Sequence, residues 1–259
     1  MFQKVRPPEK LNDFVWRFTE WNENGPYVDA YLVVGREKAV LIDALESDTG
    51  LLEAVRAITP LPLALVLTHG HPDHAGAGAA ELLAAKIPVY LSVRDDDILR
   101  SCVSWNPKRA QMQDIPAGMR FPLGGLCLEA VAVPGHTPGS IALWEEKQRW
   151  LFSGDCIGSG GFWMQVPGCE PLSVFQKSLR ALGQRLGTQA CTIFPGHSVQ
   201  CGGTMGLSYL RDLAELTDSI LSGQTAGEPA QMTLGGQLIS YRWAARGAVY
   251  MFCYLPQRL

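Results

Sequence analysis

Three of the five histidines of this 259-residue chain fall within six positions, in the run His69-Gly-His71-Pro-Asp73-His74. Imidazoles and a carboxylate gathered this densely are costly to bury unless something draws them together. The run constrains the fold through what precedes it, because the apolar strand LALVL (63–67) leads straight into the cluster. Three further polar groups have the same placement. LCLEAVAV (126–133) leads into PGH with His136, RWLFS (149–153) into GDC with Asp155, and CTIF (191–194) into PGH with His197. All five histidines therefore follow strands. Layered α/β proteins collect functional groups at strand ends, where a rigid sheet positions the loops. A fold that brings these four ends to one edge builds a single converging site.

Each residue has an ordinary reading when taken alone. A lone His136 or His197 is usually a solvated or satisfied side chain. Asp155 could serve a turn, and Asp73 could cap the helix that starts near His74. Those readings require every histidine to land after a strand by coincidence. The compact HxHxDH spacing argues instead for metal binding. Imidazole together with carboxylate suits borderline divalent ions, zinc first, with iron or manganese as alternatives.

The rest of the chain reads as alternating strands and helices, which predicts α/β layers. YLVVG (31–35) and KAVLIDA (38–44) form an expected hairpin turning at Arg36–Glu37, and IPVYL (87–91) reads as a strand. Helices are expected over Asp48–Ile58, Ala75–Ala85, about 171–186 and about 206–222. The segment 239–255 reads as a closing hairpin that turns near Arg246–Gly247. Residues 102–120 are the least regular stretch, read as a surface insertion leaning over a pocket within a single domain spanning 1–259. A net charge of −3 offers no general attraction for nucleic acid. No apolar run reaches membrane-spanning length, and MFQKVRPPEK lacks a secretory apolar stretch, so a cytoplasmic protein is expected. Seven cysteines without a CxxC pair read as free thiols. Homodimers are common enough to make a homodimer the default expectation.

HGHPDH, PGHTPGS, SGD and PGH, in this order, resemble the signature motifs of the metallo-β-lactamase-fold hydrolases, over about residues 25–200. The resemblance implies a four-layer αββα sandwich with two metal ions on its edge, and a ligand set like that of glyoxalase II. By that match His69, His71 and His136 hold the first metal. Asp73, His74 and His197 hold the second, and Asp155 bridges both. Asp43, in LIDAL, matches a recurrent aspartate that supports the ligand loop, with Ala-Leu in place of the usual Thr-Gly after it.

Two such ions can share a hydroxide and polarise a carbonyl or phosphoryl oxygen, with Asp73 orienting the nucleophile and handling a proton. The expected reaction is cleavage of an ester, thioester or lactone of a small metabolite. A phosphodiester or phosphotriester is the alternative on the same site. An iron-dependent, persulfide-oxidising enzyme and a non-catalytic metal-binding module are the rivals. The bridging aspartate argues against antibiotic cleavage, since β-lactamases of the fold replace it. CIGSGGFWMQVPGCEP (156–171) holds no Lys or Arg, unlike the glutathione-binding loop of glyoxalase II. Phe162, Trp163 and Met164 are candidates for an apolar pocket wall, and Trp105 for another. Lys108 and Arg109 are either a solvated turn or an anion hold, and Cys156 reads as a small buried thiol.

Overall fold

The computed structural model describes residues 5–259. A six-stranded sheet runs in the order β1 (Glu9–Lys10), β2 (Val15–Asn22), β3 (Gly25–Val34), β4 (Ala39–Ile42), β5 (Leu63–Val66), β6 (Val89–Tyr90). Its first four strands are antiparallel neighbours, while β4, β5 and β6 are parallel. The second sheet comprises β7 (Arg120–Pro122), β8 (Cys127–Ala132), β9 (Ile141–Glu145), β10 (Trp150–Gly154) and β12 (Thr192–Pro195), with β12 parallel to β10 at one edge. A third sheet has the order β11 (Gly161–Met164), β15 (Val249–Tyr254), β14 (Gln237–Arg246), β13 (Glu228–Leu234).

Three apolar clusters give the layer order. Val33, Val40, Ile42 and Val66 of the first sheet meet Leu128, Leu143, Phe152 and Phe194 of the second. The other face of the first sheet packs on α1 (Leu51–Ile58), α2 (Ala77–Ala84) and α3 (Asp96–Cys102), through Leu51, Val55, Leu82 and Leu99. The other face of the second sheet packs on α4 (Leu172–Leu186) and α6 (Leu207–Leu221). The four-layer αββα sandwich is thereby built. The helix α4 follows directly from its sequence: Leu172, Phe175, Leu179, Leu182 and Leu186 recur on one face and are all buried. No helix among the described residues is long and apolar enough to cross a membrane.

The expected hairpin at 36–37 forms, with Val34 opposite Ala39. The expected helices form with shorter ends; α1 starts only at Leu51, after Gly50 in the left-handed region. The stretch 102–120 needs correction. Its start borders the cavity at the metal centre through Cys102, and its middle runs along the edge of the first sheet, where Gln113 exchanges backbone hydrogen bonds with Val89 and Leu91. Arg109 is committed to that packing through Asp96 (3.1 Å) and the Leu91 carbonyl (2.9 Å), and Lys108 is an exposed neighbour. The closing hairpin belongs to a larger unit, because β13 and β11 flank it.

Candidate metal centre

Four strand ends meet at one edge of the sandwich. His69, His71, Asp73 and His74 follow β5 of the first sheet, while His136, Asp155 and His197 follow β8, β10 and β12 of the second. The ligand atoms fall into two groups, His69–His71–His136 and Asp73–His74–Asp155–His197, each gathered within 4.8 Å. In the first group His71 Nδ1 lies 3.1 Å from His69 Nε2 and 2.9 Å from His136 Nε2. In the second, His197 Nε2 lies 3.3 Å from Asp73 and 3.2 Å from Asp155, and His74 Nε2 lies 3.4 Å from Asp155. The Asp155 carboxylate also approaches His136 Nε2, at 3.9 Å, so it stands between the two groups. A short α5 (Ser198–Cys201) begins directly after His197. Gly196 permits the close approach, since a Cβ there would lie 2.5 Å from Asp155 Oδ1 and 2.6 Å from the His74 ring.

Most imidazoles are oriented from behind. His74 Nδ1 donates to Asp43 (2.8 Å), His136 Nδ1 to the Trp163 carbonyl (2.8 Å) and His197 Nδ1 to the Tyr27 carbonyl (2.6 Å). His69 Nδ1 lies 3.1 Å from Thr68 Oγ1, which itself donates to Asp43. Each of these four rings therefore turns Nε2 toward the centre, the arrangement that fixes metal-binding tautomers. His74 Nε2 and Asp155 Oδ1 are buried with no hydrogen-bond partner. Buried polar atoms are rarely left so. Both orphaned atoms belong to the second group; together with the clustered imidazoles of the first, they fit a metal-binding centre.

The two groups differ electrostatically. Burial and the neighbouring histidines hold His69 well below the usual imidazole range and His71 at about 3. Burial also opposes the charge of His74 and His197, but Asp155 and Asp73 outweigh it, lifting His74 well above the usual range and His197 to about 10. The same pairing overcomes burial at the carboxylates, leaving Asp73 at about 2 and Asp155 well below the usual range. His69 and His71 thus present neutral nitrogens in one half, and the other half is a zwitterionic cluster.

Three supporting residues carry no motif and escape sequence reading. Asp95, fully buried, accepts hydrogen bonds from Gly70 N (2.9 Å), Thr137 Oγ1 (2.7 Å) and Gly139 N (2.6 Å), joining the His71 loop to the His136 loop. Asp29 accepts from Ser198 N (2.7 Å) beside His197. Tyr27 places its hydroxyl 3.4 Å from Asp73 Oδ2. Asp29 and Tyr27 lie on β3 and Asp95 just before α3, all distant in the chain from the ligands they support, and one sequence does not single them out.

The centre opens into a cavity of about 680 Å³. Phe162 and Trp163 line it, as do Tyr27 and Asp73. Trp105 does not: its indole donates to the Ala75 carbonyl (2.9 Å) and packs on the first-sheet core. Met164 does not either: like Phe162 it packs into the cluster around α4 and α6, opposite Trp163, but unlike Phe162 it does not reach the cavity. Cys156 is buried, and burial pushes its thiol far up, as expected of an unreactive core cysteine.

An αββα sandwich with clustered histidines and aspartates at its strand ends defines the metallo-β-lactamase architecture. The chain belongs to the metallo-β-lactamase superfamily, whose sequence model matches residues 24–197. It is 32% identical over 206 residues to a Beta-lactamase-like protein 2 homolog of Caenorhabditis elegans, covering 74% of this chain and 64% of that protein, slightly under two thirds of its length. It is 28% identical over 221 residues to a hydroxyacylglutathione hydrolase of Anaeromyxobacter dehalogenans, covering 80% and 77% of the two chains. A metallo-β-lactamase structure from Pontibacter korlensis superposes with a TM-score of 0.64 at 21% identity, over 83% of this chain and 99% of that one.

Proposed function

We propose that the protein is a dinuclear metal-dependent hydrolase, with zinc as the ion that fits best, and that it cleaves the thioester of a small metabolite. The carrying observation is the pair of ligand groups, with Asp155 set between them, opening on one cavity. The similarity to a hydroxyacylglutathione hydrolase, an enzyme of acyl–sulfur bonds by its name, favours thioesters over plain esters and lactones.

Divalent ions bound there would polarise the acyl carbonyl and acidify a water. The chain's own groups do the rest. His69, His71 and His136 would hold one ion and Asp73, His74 and His197 the other, with Asp155 shared. Asp43 and the Trp163 carbonyl hold their imidazoles in place. Asp73 takes up the proton that water loses at its carboxylate and passes it toward the departing sulfur. Tyr27, 3.4 Å away, steadies that carboxylate. Water's oxygen joins the acyl carbon, the carbon–sulfur bond breaks, and a carboxylate and a thiol leave, with the second proton of the water released to solvent. The test is a panel of thioester, lactone, aryl ester and phosphodiester on metal-analysed protein, with and without chelator. Chelator-sensitive thioester turnover is expected, and turnover of another class alone would displace this reading.

A further inference from the structure

The family match ends at residue 197, yet part of the cavity wall comes from beyond it. Leu234, Gly235 and Gln237 line the cavity, and they form the tip of the β13–β14 hairpin. Leu234 pairs with Gln237 across a two-residue turn in which Gly235 and Gly236 both have positive φ (56° and 78°). That is the tight hairpin geometry that suits the twist of its strands. The tip is therefore well defined in shape, and it borders the same cavity as the metal centre.

The third sheet behind this tip has two unlike faces. Phe162, Met164, Phe252, Tyr254 and Ala244 face the core cluster around α4 and α6. The alternate residues Trp163, Cys253 and Trp243 lie side by side in register on the other face. Trp163 and Trp243 are 38% and 36% exposed, while Cys253 between them is only 1% exposed. A flat outer face would not bury its central residue. The sheet is cupped on this side, and one contact confirms it. The Gln165 amide, just past edge strand β11, donates to Met232 Sδ (3.5 Å) on the opposite edge strand β13. The cup carries Trp163 on one rim and Leu234 on the other, and both line the catalytic cavity. Val166 and Pro167 continue the apolar lining, and no Lys or Arg is among the lining residues. Such a wall takes up apolar groups and holds no Lys or Arg to pair with a carboxylate or phosphate.

We infer that this cupped sheet is the acyl-binding wall of the site, with Leu234 and Trp163 selecting thioesters of apolar acyl groups rather than of small polar ones. The inference rests on the thioester reading above and assigns a specificity role to a hairpin outside the family match.

The test uses the metal-loaded full chain with acetyl, butanoyl, hexanoyl, octanoyl and decanoyl thioesters of N-acetylcysteamine, an uncharged thiol. The expected result is an octanoyl-to-acetyl ratio of kcat/KM on the order of tenfold or more, since each buried methylene adds a few-fold. Leu234→Asp and Trp163→Ala should each drive that ratio toward one, and Leu234→Met should keep it. Thermal melts accompany every variant, so that a misfolded one is recognised and the other carries the comparison. A flat or inverted ratio in the native chain, or a ratio that neither variant changes, overturns the inference. If the native chain cleaves none of these thioesters, the thioester reading fails by itself. The wall is then judged by calorimetric titration with the ketone analogue of the octanoyl thioester, in which a methylene replaces sulfur. Binding weakened roughly tenfold or more by Leu234→Asp supports the wall. Absent binding, or equal binding by both chains, overturns it.

Discussion

The Asp43 carboxylate lies 2.8 Å from His74 Nδ1, and the same carboxylate accepts both the backbone N–H (2.7 Å) and the hydroxyl (2.9 Å) of Thr68. One side chain thus orients His74 directly and His69 through Thr68. Asp43 itself sits at φ 63°, a left-handed conformation that aspartate and asparagine tolerate better than most residues.

Asp43→Asn keeps that backbone and exchanges an anionic acceptor for an amide. Metal affinity should fall about 10- to 100-fold, the usual effect of removing a partner behind a ligating histidine. Competition against a coloured chelator measures it. Affinity within twofold of the native chain would confine Asp43 to backbone support.

Asp95→Ala should act on both loops at once. It leaves Gly70 N and Gly139 N without their acceptor in a buried place, while Thr137 Oγ1 keeps Ser140 Oγ (2.8 Å). Each orphaned donor costs about 1–3 kcal/mol before water or rearrangement offsets it. A loss of about 2–5 kcal/mol is expected in denaturant unfolding, together with weaker loading of the three-histidine group. Unchanged stability would show that the loops hold their positions without this tie.

Proton linkage should separate the two metal groups. His74 and His197 are raised by their carboxylates, His197 to about 10, so both are protonated in the metal-free protein at neutral pH. A metal must displace those protons, and affinity of that group should climb with pH until about 10. Each displaced proton gives about tenfold per pH unit, so displacing both gives on the order of ten-thousandfold between pH 6 and 8. His69 and His71 lie below the usual range and have no proton to yield at neutral pH. Calorimetry in buffers of different ionisation enthalpy would read the protons released. Release in the first binding step equal to that in the second would contradict this division.

Asp155→Ala should lower metal content toward one ion per chain, because Asp155 is the carboxylate standing between the groups. Asp73→Asn should retain metal while reducing kcat by a factor of about 10² or more, as for loss of a positioned acid–base group. Elemental analysis and steady-state kinetics on the two variants distinguish the roles. Two tightly held ions in the first, or near-native kcat in the second, would reassign them.

Much of the centre was legible because its residues follow strands that the sequence marks clearly. LALVL, LCLEAVAV, RWLFS and CTIF are unambiguous apolar runs, and the polar groups after them lie at the ends where the structure gathers them. The layers were legible for the same reason, since α4 and α6 repeat their apolar residues at helical spacing. The N-terminal strand β2, VWRFTEWN, was not read, although Asn24-Gly25 marks the turn after it, because its aromatic and charged residues keep no strict two-residue alternation. Residues 161–164 passed for loop because four residues after a glycine bend are too few to show a period. Trp105 illustrates the limit for single residues. A tryptophan in an irregular stretch has no period to say which way it faces, and only its indole bond to Ala75 places it outside the cavity.

By itself, the sequence determined the local chemistry: which strands end in imidazole or carboxylate, and which helix faces must be buried. These are set by neighbours within a few residues, through alternation, helical period and turn residues. The tertiary structure decided what meets across long separations. It set Asp43 against His74, Asp95 between two ligand loops, Tyr27 beside Asp73, and the hairpin tip at Leu234 across from Trp163. Such contacts depend on how two sheets and a cupped third pack, and packing is a property of the whole chain rather than of any segment of it.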